Sequence, residues 1–426
     1  MQSKPTMRKF AAALLLLVAA LWGTGAFAAE AGDETWVASW ARAMRSEDEP
    51  LAAEAIAGSV IRTYVPLSTG GTQVRLRFTN RFGHAPLVLA QVRVARPAGA
   101  PGEDRIDPAS SAAVTFGGKA QVTIPAGAYL ESDPVAFAVA GLDRLAVSFR
   151  MPEGDDTRTL AVMPLGVTFV APAAHGDEAS LPGAHRADRV YQLNAVSVLK
   201  APSPAPGTVT GTVAALGDSI TDAGGASFDG HGRWTDVLAR RLQADPATAG
   251  LGLVNLATSG GRVARDRTGP SALSRLDHDV LSLPNLRTLI VFIGVNDLGM
   301  MVRERPVTPQ NRAAVVDEVI EGYRQIVLRA HMRGARVLVI PILPYGGVTR
   351  ADYLADPAAQ EARHAINAWA RAPGHFDAVI DLAPLMSDPA HPDNLAPRFD
   401  RGDQLHPNAQ GQEAMGAAIP LDLVAK

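Results

Sequence analysis

No cysteine occurs among the 426 residues, which excludes disulfides, thiolate metal sites, a cysteine nucleophile and a lipid-modified N-terminal cysteine. Stability must come from packing. Phosphate-cradling Gly-x-x-x-x-Gly-Lys loops are missing too, and no two histidines stand four apart around a glutamate, so nucleotide and zinc chemistry lack a basis. No cofactor and no metal are expected. Basic residues do not dominate: 40 Lys and Arg against 43 Asp and Glu leave a formal charge of −3, which speaks against nucleic acid as a partner. Aromatic residues are scarce at 5%, and Trp36 and Trp40 are the only tryptophans between residues 36 and 199. A ring platform for polysaccharide therefore has few candidates there, and both tryptophans also suit core or interdomain packing.

Only one long apolar run exists, from Phe10 to Trp22. Lys4, Arg8 and Lys9 precede it and Ala26-Phe27-Ala28 follows, the layout of a cleavable secretory signal over residues 1–28. The run is shorter than the roughly 20 apolar residues that cross a bilayer, which disfavours an uncleaved anchor and any stable membrane insertion after cleavage. Losing three basic residues and no acidic ones takes the charge from −3 to −6. The expected location is secreted or periplasmic.

With 47% apolar and 19% charged residues, the chain has the balance of a soluble globular protein and the length for two domains. Residues 36–199 read as short strands. Val74-Arg75-Leu76-Arg77-Phe78 alternates, and Leu87 to Val94, Gln121 to Ile124, Arg144 to Phe149 and Tyr191 to Val196 continue the pattern between Gly, Pro and Asp turns. Many strands without helices predict an antiparallel β-sandwich. Residues 200–211, opening Lys200-Ala201-Pro202-Ser203-Pro204-Ala205-Pro206-Gly207, cannot sustain a ladder and read as a linker.

From 212 to 426 the pattern changes. Strands are expected at Val213 to Leu216, Leu253 to Leu256, Thr288 to Ile293, Val337 to Ile342 and Ala378 to Asp381. Helices are expected between them, at Trp234 to Leu242, Ser271 to Leu283, Val315 to Met332 and Ala358 to Ala370. This predicts an α/β domain whose parallel sheet is flanked by helices and whose ligands bind at the carboxyl ends of the strands.

Four segments at those ends can carry chemistry. Gly217-Asp218-Ser219-Ile220-Thr221 puts a hydroxyl on a tight turn, as a nucleophile or as an ordinary helix cap. Thr258-Ser259-Gly260-Gly261 can turn bare backbone N–H groups toward an oxygen, or simply reverse the chain. Gly294-Val295-Asn296-Asp297 offers a carboxamide donor, or an Asn-Asp turn. Asp403-Gln404-Leu405-His406 sets a carboxylate three residues before an imidazole, so that one ring nitrogen can be oriented while the other acts as a base.

In this order the four segments resemble the blocks of the SGNH, or GDSL-type, hydrolases, and the resemblance spans the second domain. It implies a serine esterase with Ser219 as nucleophile, His406 as base and Asp403 as its partner. The implied oxyanion hole is the backbone N–H of Ser219 and of Gly260 with the side chain of Asn296. The α/β-hydrolase alternative would want a second glycine after Ser219, and Thr221 stands there. Thr258 departs from the family, which often has an aliphatic residue at that place. Leu76 to Gly83 is similar to the sandwich found ahead of some of these hydrolases. Asp218 and Asp297 are expected to support by hydrogen bonding, and Arg233, Arg240 and Arg241 to form a solvated helix face.

The implied substrate is a small-molecule or polysaccharide ester, with short acyl groups such as carbohydrate O-acetyl foremost. A lipid acyl hydrolase is the alternative, for which Phe228, Leu298, Met300, Met301 and Tyr345 are the candidate lining. A non-catalytic polysaccharide-binding protein is a further reading, against which the four intact blocks speak.

Overall fold

A computed structural model describes residues 35–46, 56–152, 159–162, 166–172, 175–201, 207–222 and 232–426. The expected export signal, the prolines of the expected linker and Phe228 lie outside the described residues. Up to Lys200 the described chain is antiparallel. One sheet runs, in spatial order, through Thr35–Ala41, Leu193–Lys200, Gln73–Thr79 and Tyr129–Glu131. A second runs through His185–Ala187, Val167–Pro172, Ser59–Pro66, Arg144–Arg150, Leu87–Ala95 and Ala112–Ala113, with Gln121–Ile124 also paired to Leu87–Ala95. Val74, Leu76 and Phe78 of the first sheet share one core with Ile61, Leu89, Val147 and Phe149 of the second. This is the sandwich that the period-two pattern predicts, since each sheet has an apolar face to cover.

The second region is built on five parallel strands, Thr210–Gly217, Gly250–Asn255, Leu286–Phe292, Arg336–Val339 and Ala378–Val379, in the spatial order second, first, third, fourth, fifth. That order creates a switch point between the first and third strands, where a crevice opens outside their carboxyl ends. The strands carry mostly apolar, buried residues, as a sheet covered on its faces requires. Helices flank it, Trp234–Ala244 packing on Ala409–Ala418 and Pro309–His331 on Pro357–Arg371.

Some local expectations change. The helix foreseen over Ser271 to Leu283 is α-helical only from Ala272 to Arg275, then widens into π-helical turns over Leu276–Leu281. Arg275 there is fully buried and reaches across to the Leu256 carbonyl at 2.5 Å. The fourth strand ends at Val339 rather than Ile342, because Ile342 N–H donates to the Asn367 side chain at 2.9 Å. The solvated face foreseen at Arg233, Arg240 and Arg241 is a correction of greater consequence. Arg233 is buried and donates from Nε to the Asp222 carbonyl at 2.5 Å, and Arg241 donates to the Gly416 and Ile419 carbonyls at 2.8 and 2.7 Å. Arg240 stays half-exposed, 3.3 Å from Glu413. The polar face of this helix is a packing surface against the last long helix.

Although the sequence reads as two regions, Glu34–Lys426 forms one compact unit. Ala38 N–H donates to Thr212 Oγ at 2.9 Å, and that hydroxyl donates to the Pro284 carbonyl at 2.6 Å. Leu253 N–H donates to Ser68 Oγ at 2.9 Å. Arg77, which strand alternation would send to solvent, is buried because its guanidinium donates to the hydroxyl and carbonyl of Ser282, each at 2.8 Å. Thr212→Val keeps the shape of that side chain but strands the buried Ala38 N–H. Its unfolding free energy in a urea titration is expected to fall by about 1–3 kcal/mol. An unchanged midpoint would mean that this hydroxyl does not join the two regions.

Candidate active site

The first parallel strand ends at Gly217 and the chain turns at once into a short helix, Ser219–Asp222. Asp218, not Ser219, caps that helix: its carboxylate accepts from Ile220 N–H at 3.0 Å and its carbonyl from the amides of Thr221 and Asp222. The hydroxyl of Ser219 is thereby left to face outward. The turn is pinned beneath. Trp234 Nε1 donates to Thr221 Oγ at 3.1 Å, Asn255 Nδ2 to the Thr221 carbonyl at 2.7 Å and Gln412 Nε2 to the Ile220 carbonyl at 2.9 Å.

His406 comes from the opposite end of this region, just before the helix Ala409–Ala418, whose cap is Asn408. Its Nε2 lies 2.8 Å from Ser219 Oγ, and its Nδ1 lies 2.7 Å from Asp403 Oδ2. The other oxygen of Asp403 accepts from the amides of Leu405 and His406 at 3.0 and 2.8 Å, so the carboxylate shapes the loop as well as facing the ring. Burial works against ionisation of Asp403, but the His406 amide, ring and charge outweigh it and hold the carboxyl well below the usual carboxylate range. Burial likewise pulls the His406 imidazole below its ordinary value, against the opposing pull of Asp403. Arg401 lies 3.0 Å from Asp403 Oδ2 and 3.1 Å from His406 Nδ1, and its charge adds to that lowering.

Gly260 follows the second strand with φ of 73°, a left-handed conformation, and a Cβ there would sit 2.6 Å from Thr268 Oγ. Ser259, just before it, donates from its amide and its hydroxyl to Asp222 Oδ2 at 3.0 and 2.8 Å. Asn296 follows the third strand after Gly294, whose φ is 131°. Its Nδ2 donates to the Gly261 carbonyl at 3.1 Å, and Tyr353 Oη approaches its Oδ1 at 3.2 Å, which fixes the amide with nitrogen toward the Gly260 loop. Asp297 accepts from Val263 N–H at 3.0 Å, the supporting role expected of it. All five sequence-derived site residues thus gather at one edge of the sheet. Sequence reasoning missed Asp222, Tyr353, Arg401 and Arg42, whose Nη2 meets Asp222 Oδ1 at 2.6 Å. Asp222, three residues past Ser219, and Arg401, two before Asp403, were legible as charged neighbours, whereas nothing in the sequence links Arg42 or Tyr353 to the site.

Of the side chains foreseen for an acyl-chain wall, Leu298, Met300, Met301 and Tyr345 are all buried in the core of the parallel-sheet region. No group of three or more His, Cys, Asp or Glu that would suit a metal ion occurs among the described residues. Nor is any described helix long and apolar enough to cross a membrane.

A hydroxyl, an imidazole and a carboxylate in line at the switch point of such a sheet define a serine ester hydrolase. Residues 215–414 match the model of the GDSL-like lipase/acylhydrolase family. No curated protein matches the sequence. Among solved structures, an acetylxylan esterase from Geobacillus stearothermophilus is 19% identical with a TM-score of 0.38, over 52% of this chain and 97% of its own. Another acetyl xylan esterase is 20% identical at 0.37, over 49% and 96%. A psychrotrophic esterase from Pseudoalteromonas is 18% identical at 0.34, over 49% and 93%. These likenesses are too distant to carry residue roles or substrates across.

Burial raises the carboxyls of both Asp218 and Asp297 to about 7. A folded-state value above the unfolded one means that the fold holds a proton the unfolded chain releases above about pH 4. That stabilisation is complete at low pH and is lost as pH rises through 7. His406, lowered by burial, acts in the opposite sense, so a difference between variants isolates the effect. Relative to wild type, Asp297→Asn is expected to gain in melting temperature from pH 5 to about pH 7 and to level off by pH 8. Parallel profiles for the two proteins would rule the buried carboxyl out as the cause.

Proposed function

We propose that Ser219 is the nucleophile of an exported esterase that cleaves short acyl groups, carbohydrate O-acetyl esters foremost. The observation that carries the reading is the unbroken line from Ser219 Oγ through His406 to Asp403, at 2.8 and 2.7 Å. A serine hydroxyl is a poor nucleophile at neutral pH, so neutral His406 takes its proton at Nε2 as Oγ bonds to the carbonyl carbon. Asp403 keeps the other ring proton on Nδ1 and balances the imidazolium. The carbonyl oxygen, now an anion, accepts from the backbone N–H groups of Ser219 and Gly260 and from Asn296 Nδ2. His406 then passes its proton to the departing alkoxide, leaving an acyl-enzyme, and the same steps with water release the acid and free Oγ.

Two features support a small acyl group on a polar alcohol. The apolar side chains that would wall a long acyl chain are spent in the core. A small cleft of about 190 Å³ beside the Gly260 loop is lined by Arg42, Ala43, Arg45, Val162, Asp222, Thr258 and Ser259, a size that suits a short acyl group. The apolar run Phe10 to Trp22 with its basic start and small-residue end supports export.

Ser219→Ala is the blank for a rate profile over p-nitrophenyl esters of two to sixteen carbons, run beside an acetylated polysaccharide. A steep preference for two carbons is expected, and a maximum at long chains would replace this reading with a lipase. Activity is expected to fall on the acid side below about pH 6.5, because the base must be neutral and burial keeps His406 from charging earlier. Asn296→Ala should lower kcat by about 10²–10³-fold with the fold intact, the usual loss for one oxyanion donor. Chelators should leave the rate unchanged.

A further inference from the structure

We propose that the β-rich region is a working part of the catalytic centre, in which Arg42 and Arg45 are positioning residues for the oxyanion donor at Gly260. The inference rests on the reading of Gly260 given above and adds to it the groups that hold that loop in place.

Arg42 opens the short connection between the strands Thr35–Ala41 and Arg45–Ser46, and Arg45 is the residue at which it ends. The backbone of Arg42 is fixed from both sides by Asn194: its N–H donates to the Asn194 carbonyl at 2.9 Å, and its carbonyl accepts from Asn194 Nδ2 at 2.7 Å. From that anchor the guanidinium crosses to Asp222, with both side chains almost wholly buried. One oxygen of Asp222 takes Arg42 and the other takes the amide and hydroxyl of Ser259, so the carboxylate is a bridge whose far end holds the residue before Gly260. On the other flank, Thr268 Oγ donates to the Gly260 carbonyl at 2.9 Å, while the Thr268 carbonyl accepts from Arg45 at 3.3 Å. The peptide unit that presents Gly260 N–H is therefore gripped before and after by groups that lead back to the same β connection.

The physical need is clear from the conformation. Gly260 has a left-handed φ and no side chain of its own to lock it, so its N–H direction depends on its neighbours. A buried carboxylate without its cation would not hold the Ser259 contacts in a dry site, because it would draw in water or a proton instead. Arg42 keeps the Asp222 carboxylate aimed at Ser259, and the oxyanion donor inherits that aim.

The test uses the full-length protein and p-nitrophenyl acetate, with Ser219→Ala as reference. Arg42→Met is expected to lower kcat by about tenfold or more while KM stays within about twofold, since a misaimed oxyanion donor weakens the transition state and not substrate binding. Arg42→Lys should recover part of the loss. Should Arg42→Met fail to fold, Asp222→Asn and Thr268→Val, which cut the two grips separately, are each expected to show the same split. A folded Arg42→Met with wild-type kcat, or a loss confined to KM, overturns the proposal, as does wild-type kcat in both substitutes. An active Ser219→Ala would instead overturn the esterase reading itself, whatever the Arg42 variants do.

Discussion

The site depends on a hydroxyl and an imidazole, 187 residues apart in the chain, meeting at 2.8 Å. Neither group is held by its partner. Ser219 is fixed by the turn after the first strand, whose cap is supplied by Asp218 and whose carbonyls are tied to Asn255 and Gln412. His406 is fixed by a loop folded around the carboxylate of Asp403. Gln412 joins the two supports, because it belongs to the helix that His406 precedes and also donates to the turn that carries Ser219. The geometry is preorganised by backbone and amide contacts rather than by the hydrogen bond between Ser219 and His406, which leaves that bond free to break and re-form.

Three buried aspartates surround this arrangement, and each organises a different piece of backbone. Asp218 shapes the turn that carries Ser219, Asp222 holds Ser259, and Asp297 holds Val263 on the far side of the same loop. Asp222 has a guanidinium against it, whereas burial drives the other two toward protonation near neutrality. Carboxylates accept backbone N–H bonds strongly, but carrying them into a dry edge of a sheet destabilises their charge. The fold accepts that cost where a loop must present bare N–H groups and cannot use large side chains to brace itself.

The antiparallel region is joined to the hydrolase region by buried contacts along its whole flank, from Ala38 and Thr212 to Arg77 and Ser282. Such contacts are made by residues whose sequence context signals something else. Arg77 sits at an outward position of a strand and Arg233 at the start of an amphipathic helix, and both read as solvent-facing until a neighbouring surface covers them. Periodicity tells which face of an element is apolar, but it is blind to a polar face buried against another element with its hydrogen bonds satisfied.

By itself the sequence determined the two kinds of architecture, through periods of two and of three to four, and the order of the blocks that carry Ser219, Gly260, Asn296, Asp403 and His406. Those signals are local, since strand alternation, a glycine pair or a carboxylate three residues before a histidine each lie within a few positions. Only the tertiary structure decided that Asp218 rather than Ser219 caps the helix, that the foreseen acyl-wall residues Leu298 to Tyr345 are spent in the core, and that Arg42 reaches Asp222. These outcomes are set by which surfaces meet and which buried polar groups must find partners. A residue 180 positions away supplies the partner, so no window along the chain contains the information.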